Sequence, residues 1–304
     1  MNLIYSLNNI YKYLTKPDYR FLFWARYGRY NSMPDEEYLK RMFKATIGNE
    51  LDLQNPKTFN EKIQWLKLND RNPLYTILVD KYKVKKYVAN IIGEEYIIPT
   101  LGVWEDPESI DFNQLPKQFV LKCNHNSGTG MYICKDKSLL NSAKVKAALK
   151  KGLEQNYYLT GREWPYKNVE RRIIAEKYIN SVSGQELIDY KFMCFNGEVK
   201  CSFVCTDRFD KSGLKVTFYD REWKMMPFER HYPRSLQPIS KPFMYGRMIE
   251  LAEKLSRNLP FARIDLYEEQ KKIYFGEITL SPGSGFEEFS PPEWDRILGE
   301  WIKL

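Results

Sequence analysis

The stretch Arg263–Thr279, RIDLYEEQKKIYFGEIT, decides the fold class and the candidate chemistry of this chain. Apolar and polar residues alternate on both sides of a short polar centre, which predicts two antiparallel strands joined by a tight turn. A hairpin centred near Lys271 places Asp265 directly across from Glu277. It also places Arg263 across from Thr279, and strand alternation predicts that all four side chains lie on one face.

The two carboxylates of this predicted hairpin need a counter-charge. Asp265 and Glu277 at cross-strand distance repel each other unless a cation lies between them, and Mg²⁺ with nucleotide phosphates is a common solution. The opposite face is apolar and predicts a core surface, because it carries Ala262, Ile264, Leu266, Ile278 and Leu280. For a hairpin taken alone, a solvated face with an ordinary ion pair is the alternative.

A second feature is the stretch Gln118–Cys134, QFVLKCNHNSGTGMYIC, in which Lys122 interrupts an apolar strand. The Gly/Ser/Asn loop Asn124–Gly130 that follows can bring backbone N–H groups close to phosphates. It is not a P-loop, because GxxxxGK[ST] and a following helix are absent. Turn geometry alone also explains such a loop, and a lysine on a half-buried strand often extends to solvent.

The remaining sequence predicts an α/β fold of the α+β type with a helical N-terminal region. Thr58 and Glu61 have capping-box spacing before an amphipathic helix, and one helix is predicted over residues 73–92. From residue 94 short apolar runs predict strands. The runs within residues 171–226 predict one antiparallel meander with a turn at Asn196-Gly197. Helical periodicity returns at 139–155 and 242–259.

Composition limits the class of protein. The 304 residues are 43% hydrophobic, enough for a sizeable core, and carry a formal charge of +8 that favours an anionic partner. Because 39 acidic residues are interspersed with 47 basic ones, a nucleic-acid binder is disfavoured. Five cysteines in apolar runs without CxxC spacing predict buried thiols in a reducing compartment, and two histidines disfavour a zinc site.

The N-terminal segment carries a separate signal. It lacks a signal-peptide pattern, and the chain has no apolar run of about 18 residues, so a cytoplasmic protein is expected. The first thirty residues interleave aromatic residues such as Phe23 and Tyr27 with basic residues such as Arg20 and Arg26. This pattern suits peripheral contact with the inner face of a membrane. The alternative is a helical arm packed on its own domain.

These separate features occur in an order that resembles the ATP-grasp superfamily, and within it the TupA-like group associated with teichuronopeptide and other surface-polysaccharide gene clusters. The resemblance covers nearly the whole chain. Its motifs are NPKTFNEKIQWLKLNDR (55–71), DKYKVKKYV (80–88), LPKQFVLKCNHNSG (115–128), DYKFMCFNGEVK (189–200) and RIDLYEEQKKIYFGEITLSPGSGF (263–286). The first and the last are the most specific.

The resemblance implies nucleotide contacts along the chain. Lys81 and Lys122 look like the two lysines that contact ATP phosphates. The glycine-rich cover over the β- and γ-phosphates corresponds to Asn126, Ser127, Gly128, Thr129 and Gly130. The hinge whose backbone reads adenine corresponds to Glu176, Lys177, Tyr178 and Ile179. Asp189 corresponds to the ribose contact, with Glu186 as the alternative, and Lys191 follows it as a further nucleotide contact.

The resemblance also implies the catalytic centre. Asp265 and Glu277 match two magnesium ligands, and Thr279 stands where many ATP-grasp ligases have Asn. Arg263 matches the cation near the acyl phosphate and would act with Lys81 and Lys122. The implied substrate-side contacts are Ser281, Gly283, Ser284 and Gly285, with His125 as a further phosphate or substrate contact.

The function implied by the resemblance is an ATP- and Mg²⁺-dependent carboxylate–amine ligase that works through an acyl phosphate. Its expected partners are a glycan or uronic-acid carboxylate of a surface polysaccharide, or its precursor, and an amino acid or other amine. A phosphotransferase on the same scaffold and a glycosyltransferase are the alternatives. The sequence leaves the oligomeric state open.

The expected domain organisation has three parts. Residues 1–75 form a helical region with possible substrate or membrane contact, and residues 76–117 form a central linker or N-terminal subdomain. Residues 118–304 form the ATP-grasp domain, in which two antiparallel or mixed subdomains clamp ATP. Residues 118–175 are its lid with the glycine-rich loop, and residues 176–304 carry the hinge and the metal site.

Overall fold

A computed structural model of the chain describes residues 11–181, 187–207 and 213–304. Its N-terminal part is helical, with α1 (Pro17–Arg26), α2 (Asp35–Ile47), α3 (Phe59–Asn69) and α4 (Leu74–Val79). The capping box predicted for α3 is present: Thr58 Oγ1 accepts from the backbone N–H of Glu61, and the Glu61 carboxylate accepts from the N–H of Thr58. These two hydrogen bonds satisfy donors that the first helical turn leaves open.

A four-stranded antiparallel sheet forms the smaller layer. Its strands are β1 (Thr100–Trp104), β2 (Phe119–Cys123), β3 (Met131–Cys134) and β4 (Ile173–Lys177), in the order β1-β4-β2-β3. Helix α6 (Ser142–Glu154) covers one face, where Leu121, Leu149 and Ala175 share a core. Lys122 and Glu176 alternate to the other face. The prediction of one meander over residues 171–226 is therefore wrong for β4, because this strand pairs with β1 and β2.

A five-stranded antiparallel sheet forms the larger layer. Its strands are β5 (Asp189–Phe195), β6 (Glu198–Thr206), β7 (Lys215–Tyr219), β9 (Phe261–Glu269) and β10 (Lys272–Thr279), in the order β10-β9-β5-β6-β7. Helices α5 (Lys83–Ile92) and α8 (Tyr245–Ser256) cover one face. Helix α3 and α9 (Glu293–Trp301) cover part of the other face. The chain also forms the short helix α7 (Tyr158–Gly161) and a small sheet of β8 (Glu229–Arg230) and β11 (Phe289–Ser290).

The single helix predicted over residues 73–92 is instead two helices, because the chain breaks after α4. Asp80 Oδ1 accepts from the backbone N–H groups of Tyr82, at 2.9 Å, and Lys83, at 3.2 Å. The N–H of Lys81 donates to the carbonyl oxygen of Asn124 at 3.0 Å. A side chain that caps its own backbone competes with helix continuation. As a result, Lys81 projects from the break towards the β2–β3 loop.

The hairpin of β9 and β10 has the predicted register at its functional end, with Glu277 paired to Asp265 and Thr279 to Arg263. A bulge at Gly276 precedes this end. It lets Phe275 face the core while Glu277 faces the opposite side. A Cβ on Gly276 would lie 2.9 Å from Tyr267 Cε2 and 3.1 Å from the carbonyl oxygen of Asp265. The bulge therefore needs a residue without a side chain.

The prediction of buried thiols holds for Cys123, Cys134, Cys194 and Cys201, whereas Cys205 is half-buried. Burial raises the pKa of the Cys201 thiol to about 12. The helices that the structure describes include none that is both long and apolar enough to cross a bilayer.

Candidate active site

The part of the larger sheet that α3 and α9 leave uncovered holds a buried group of oppositely charged side chains. Asp265 is 1% exposed, and Arg263 donates to both of its oxygens at 2.7 Å, from Nε and from Nη2. The same Nη2 donates to Glu277 Oε1 at 2.9 Å. Arg263 therefore bridges the two carboxylates that the hairpin brings together, and these charges raise its pKa despite its burial.

Lys191 and Asp189 extend this group onto β5. Lys191 Nζ donates to both Asp189 and Asp265, and the two carboxylates raise its pKa although burial opposes its charge. Burial raises the pKa of Asp265 to about 6, against the pull of Arg263 and Lys191. Asp189 Oδ1 is buried and has no hydrogen-bond partner among the residues that the structure describes. An acceptor in that state remains available to a ligand.

Lys81 joins this group to the glycine-rich loop. Its Nζ lies 3.2 Å from Glu277 Oε2 and donates to the carbonyl oxygen of Asn126 at 2.9 Å. Burial disfavours the Glu277 carboxylate, but Lys81 and Arg263 outweigh it and hold its pKa well below the usual range. The hairpin, the helix break and the loop thus meet at one place.

A second cluster of charges lies on the smaller sheet. Glu176 is 5% exposed, and its two oxygens lie 2.6 Å from Lys122 Nζ and 2.5 Å from Lys85 Nζ. Burial alone would raise the pKa of Glu176, but the two lysines lower it below its usual value. Lys85 also donates to the carbonyl oxygen of Ile98 at 2.8 Å. The sequence interpretation missed Lys85, although its place on the buried side of α5 beside Val84 was a usable signal.

The phenol of Tyr267 is influenced by carboxylates of both charge clusters. The negative charge of Asp189 is the largest influence on its phenol, burial follows, and Glu277, Asp265 and Glu176 also contribute. All of them raise its pKa far above the usual value. A contact that joins the two layers here is the ion pair of Lys85, on a helix that covers the larger sheet, with Glu176 of the smaller sheet.

The glycine-rich loop is buried at its base and open at its tip. Asn126 is buried and donates from Nδ2 to the carbonyl oxygen of Gly152 at 3.0 Å, whereas Ser127 and Gly128 are exposed. Gly130, at φ +69°, packs so closely on Gly152 that a Cβ would lie 2.9 Å from its Cα. Thr129, between Gly128 and Gly130 in the loop, is half-buried. The exposed tip is the part of the loop that a ligand can reach.

His125 is placed differently from the other loop residues. Its ring is buried, and Nε2 lies 3.1 Å from the carbonyl oxygen of Gln155. Burial lowers its pKa, so the ring is held in its neutral form. Its Nδ1 has no partner among the described residues. A contact of His125 with phosphate or substrate stays a prediction.

The predicted substrate-side turn, Ser281–Gly285, follows β10 directly. Gly283, Ser284 and Gly285 have φ values of 58°, 53° and 65°, a left-handed run that two glycines make accessible. Helix α3 holds this run: Gln64 Nε2 donates to the carbonyl oxygen of Gly285 at 2.7 Å, and Lys67 Nζ to that of Ser284 at 2.7 Å. Burial lowers the pKa of Lys67 to about 7.

Glu163 and two tyrosines near this turn were missed by the sequence interpretation. Ser284 Oγ donates to Glu163 Oε1 at 2.6 Å, and burial raises the pKa of Glu163 although Lys67 opposes it. The rings of Tyr157 and Tyr166 pack at 4.7 Å. Burial, followed by the charge of Glu163, raises the pKa of both phenols. The segment 161–166, Gly-Arg-Glu-Trp-Pro-Tyr, has no sequence pattern that indicates a functional site.

The hinge residues follow Glu176 at the end of β4. Lys177 is exposed, Tyr178 and Ile179 are half-buried, and the N–H of Lys177 donates to the carbonyl oxygen of Pro99 at 3.0 Å. Glu186, the alternative ribose contact, lies outside the described residues. The assignment of these residues and of Asp189 to adenine and ribose stays a prediction.

The donor set at the hairpin suits a hard divalent cation bound together with phosphates. Asp265 and Glu277 accept from one guanidinium nitrogen, and Thr279 Oγ1 lies 3.4 Å from Glu277 Oε1. Within residues 11–181, 187–207 and 213–304, no three or more His, Cys, Asp or Glu side chains are grouped to hold a metal. Mg²⁺ commonly takes one or two carboxylates and completes its shell with phosphate and water oxygens, so the residues present fit such a site.

Two antiparallel layers, each with a lysine paired to a buried carboxylate, agree with the ATP-grasp fold that the sequence motifs indicated. A family model described as TupA-like ATPgrasp matches residues 61–303, and the chain belongs to that family. A search of curated proteins finds no match.

Solved structures with similarity to the chain include several ligases. D-alanine–D-alanine ligase from Bacillus anthracis complexed with ATP is 17% identical at a TM-score of 0.40, covering 74% of this chain and 63% of its own. D-alanine–D-alanine ligase from Helicobacter pylori is 15% identical at a TM-score of 0.43, and the match covers 82% of this chain and 70% of that ligase. A RimK domain ATP-grasp protein from Sphaerobacter thermophilus is 11% identical at 0.41, covering 77% and 70%. The chain thus spans less than two thirds of the Bacillus anthracis ligase.

Proposed function

We propose that this chain is a carboxylate–amine ligase that uses ATP and Mg²⁺ and forms an amide through an acyl phosphate. The supporting observation is the bridged arrangement of Asp265, Arg263 and Glu277, with Lys81 Nζ 3.2 Å from Glu277. Cations and carboxylates held together in a buried cleft are preorganised for a ligand that carries both phosphate charge and a metal ion.

The phosphate chain of ATP exchanges partners with these residues. Lys81 leaves Glu277 and Lys122 leaves Glu176 to hold phosphate oxygens, which keeps every buried charge paired. Asp265 and Glu277, with Thr279 beside them, would hold magnesium, which would supply positive charge to stabilise the γ-phosphoryl group during transfer. The exposed tip of the glycine-rich loop, Ser127 and Gly128, folds over the phosphates and excludes water.

The reaction then proceeds in two displacements. An oxygen of the substrate carboxylate attacks the γ-phosphorus, the bond from phosphorus to the bridging oxygen breaks, and ADP leaves. Arg263 lies beside the acyl phosphate and neutralises its charge. The nitrogen of the amine attacks the acyl carbon and loses a proton, the carbon–oxygen bond to phosphate breaks, and phosphate leaves as the amide forms.

The proposed substrates are a uronic-acid or related glycan carboxylate of a surface polysaccharide, or its precursor, and an amino acid. The formal charge of +8 suits an acidic glycan. The ligase assignment is tested by measuring ADP release with uronic acids and amino acids, with mass spectrometry of the conjugate. A stable phosphorylated glycan formed without an amine would identify a phosphotransferase instead. Turnover of a sugar nucleotide without ATP would identify a glycosyltransferase.

A further inference from the structure

Arg230, on β8, is a buried arginine with unused hydrogen-bonding capacity. Its side chain is 6% exposed, and its Cζ lies 5.0 Å from the ring centroid of Phe203. Neither Nε nor Nη1 has a hydrogen-bond partner among the described residues. Glu287 Oε2 lies 2.9 Å from Nε but outside hydrogen-bond geometry. Buried donors without acceptors are costly, so such a group is usually completed by a ligand or by water.

The position of Arg230 relates it to the reaction centre. Phe203 lies on β6 and packs on both arginines, since Arg263 Cζ is 5.9 Å from the same ring. The charge of Arg263 lowers the pKa of Arg230, as burial does more strongly, and Glu287 opposes both. The two guanidinium groups are therefore close enough to repel each other, with an aromatic ring shared between them.

Glu287 connects Arg230 to the substrate-side turn. A Cβ added to Gly283 would lie 2.3 Å from Glu287 Cδ, so the turn packs directly against this carboxylate. The backbone of Glu287 is fixed by Asn60 of α3, whose Nδ2 donates to its carbonyl oxygen at 2.9 Å. Arg230 thus lies between Glu287, which packs on the turn, and Phe203, whose ring Arg263 also contacts.

We propose that Arg230 binds a spectator carboxylate of the amine substrate, so that this substrate is an amino acid rather than a simple amine or an amino sugar. The proposal rests on the ligase function proposed above. Arginine pairs with carboxylates through planar, charge-assisted hydrogen bonds, which the unused N–H groups of Arg230 can supply. An anion here also relieves the repulsion between Arg230 and Arg263.

The assignment to the amine follows from the separation of the two arginines. The carboxylate that is phosphorylated must lie against the γ-phosphoryl group, beside Arg263 and Lys81. This carboxylate loses its negative charge as the amide forms, so it cannot neutralise both Arg263 and Arg230. Arg230 contacts the same Phe203 ring as Arg263 and therefore matches a second anionic group. In an α-amino acid the carboxylate carbon is two bonds from the attacking nitrogen.

The test compares amino acids with their carboxamides, such as alanine with alaninamide, as amine substrates in the ADP-release assay. The wild-type chain should prefer the carboxylate member by a factor of roughly 10 to 100, the typical effect of a hydrogen bond to a charged group. Arg230→Gln should remove this preference by raising KM for the amino acid much more than KM for the carboxamide. Arg230→Lys, which keeps the charge without the planar fork, should retain part of the preference.

Arg234→Gln is the matched control, because this half-buried arginine lies four residues away on the same segment. It should leave the preference unchanged. A wild-type chain that does not discriminate, or an Arg230→Gln variant that lowers both activities equally, would overturn the proposal.

A second measurement separates this proposal from the ligase function. If no amine supports ADP release, the ligase function fails, and carboxylate binding is then read from thermal unfolding in acetate and in chloride at equal ionic strength. Acetate should raise the melting temperature of the wild type by about 2 °C more than that of Arg230→Gln, because a ligand of the native state stabilises it. An equal shift in both would show that Arg230 binds no carboxylate.

Discussion

Lys81 Nζ lies 3.2 Å from Glu277 Oε2, so a lysine from the break between α4 and α5 meets the last long strand of the larger sheet. The contact brings together two residues that are far apart in the sequence. In the proposed function ATP displaces this contact, because a lysine cannot serve the phosphates and Glu277 fully at the same time. The first prediction follows from this exchange of partners.

Asp265→Asn and Glu277→Gln should each lower ATP turnover by roughly a hundredfold or more, because each removes one of the two carboxylates proposed to hold the metal–nucleotide complex. Circular dichroism should show a folded chain in both cases. Glu288→Gln, at a carboxylate that is 57% exposed, is the control and should keep wild-type turnover. Retained turnover in both site variants would remove the metal assignment.

Glu176→Gln should destabilise the ligand-free chain in a pH-dependent way. The folded-state pKa of Glu176 lies below its usual value, so its charge stabilises the fold above pH ~4.3, and this stabilisation is lost as the pH falls through the lowered pKa. The variant should lose about 3 kcal/mol in free energy of unfolding at pH 7, as for other broken buried pairs. Denaturant titrations should show that the difference from wild type shrinks below pH ~4.

The control for this prediction is Glu108→Gln, since Glu108 pairs with Lys146 but is 74% exposed. Exposed pairs contribute about 0–1 kcal/mol, so its effect should be small at every pH. A Glu176→Gln variant as stable as wild type at pH 7 would contradict the buried cluster.

Gly276→Ala should destabilise the chain by about 1–3 kcal/mol and lower ATP turnover, because its Cβ would press on Tyr267 and on the backbone of Asp265. Thermal unfolding and ADP release would measure the two effects. Gly246→Ala, in α8, is the matched control, since a Cβ there meets nothing within 4 Å. It should be neutral or stabilising by about 0.5–1 kcal/mol. Equal effects of both substitutions would argue against a constrained bulge.

The N-terminal helix α1 should bind anionic membranes through its exposed aromatic face. Phe23 is 38% exposed and Tyr27 68%, whereas Phe21 is 2% exposed and packs on α2. The double variant Phe23→Ser/Tyr27→Ser should therefore keep the fold and lose flotation with anionic liposomes. Deleting the first thirty residues would also remove Phe21 from the core that it shares with α2. Loss of membrane binding could then not be separated from loss of stability. Equal flotation of variant and wild type would support an arm that only packs on its own domain.

Local patterns predicted much of the fold correctly because they depend on neighbouring residues. Alternation in β9 and β10 gave the pairing of Asp265 with Glu277, and the Thr58–Glu61 spacing gave the start of α3. The motifs also singled out Lys81, whose Nζ lies 3.2 Å from Glu277 Oε2. The helix predicted over residues 73–92 was wrong because a distant contact interrupts it. The N–H of Lys81 donates to the carbonyl oxygen of Asn124, and the helix breaks there.

The sequence by itself determined the carboxylate hairpin and the start of α3, because alternation and helix caps are short-range effects. Its motifs indicated the ATP-grasp class, and the lysines around the hairpin, through their resemblance to that family. Only the tertiary structure decided that β4 joins the smaller sheet, that Lys85 shares Glu176 with Lys122, and that Arg230 lies against Phe203 beside Arg263. These relations depend on which buried charges face each other after the layers pack. Long-range packing sets them, and no local pattern encodes it.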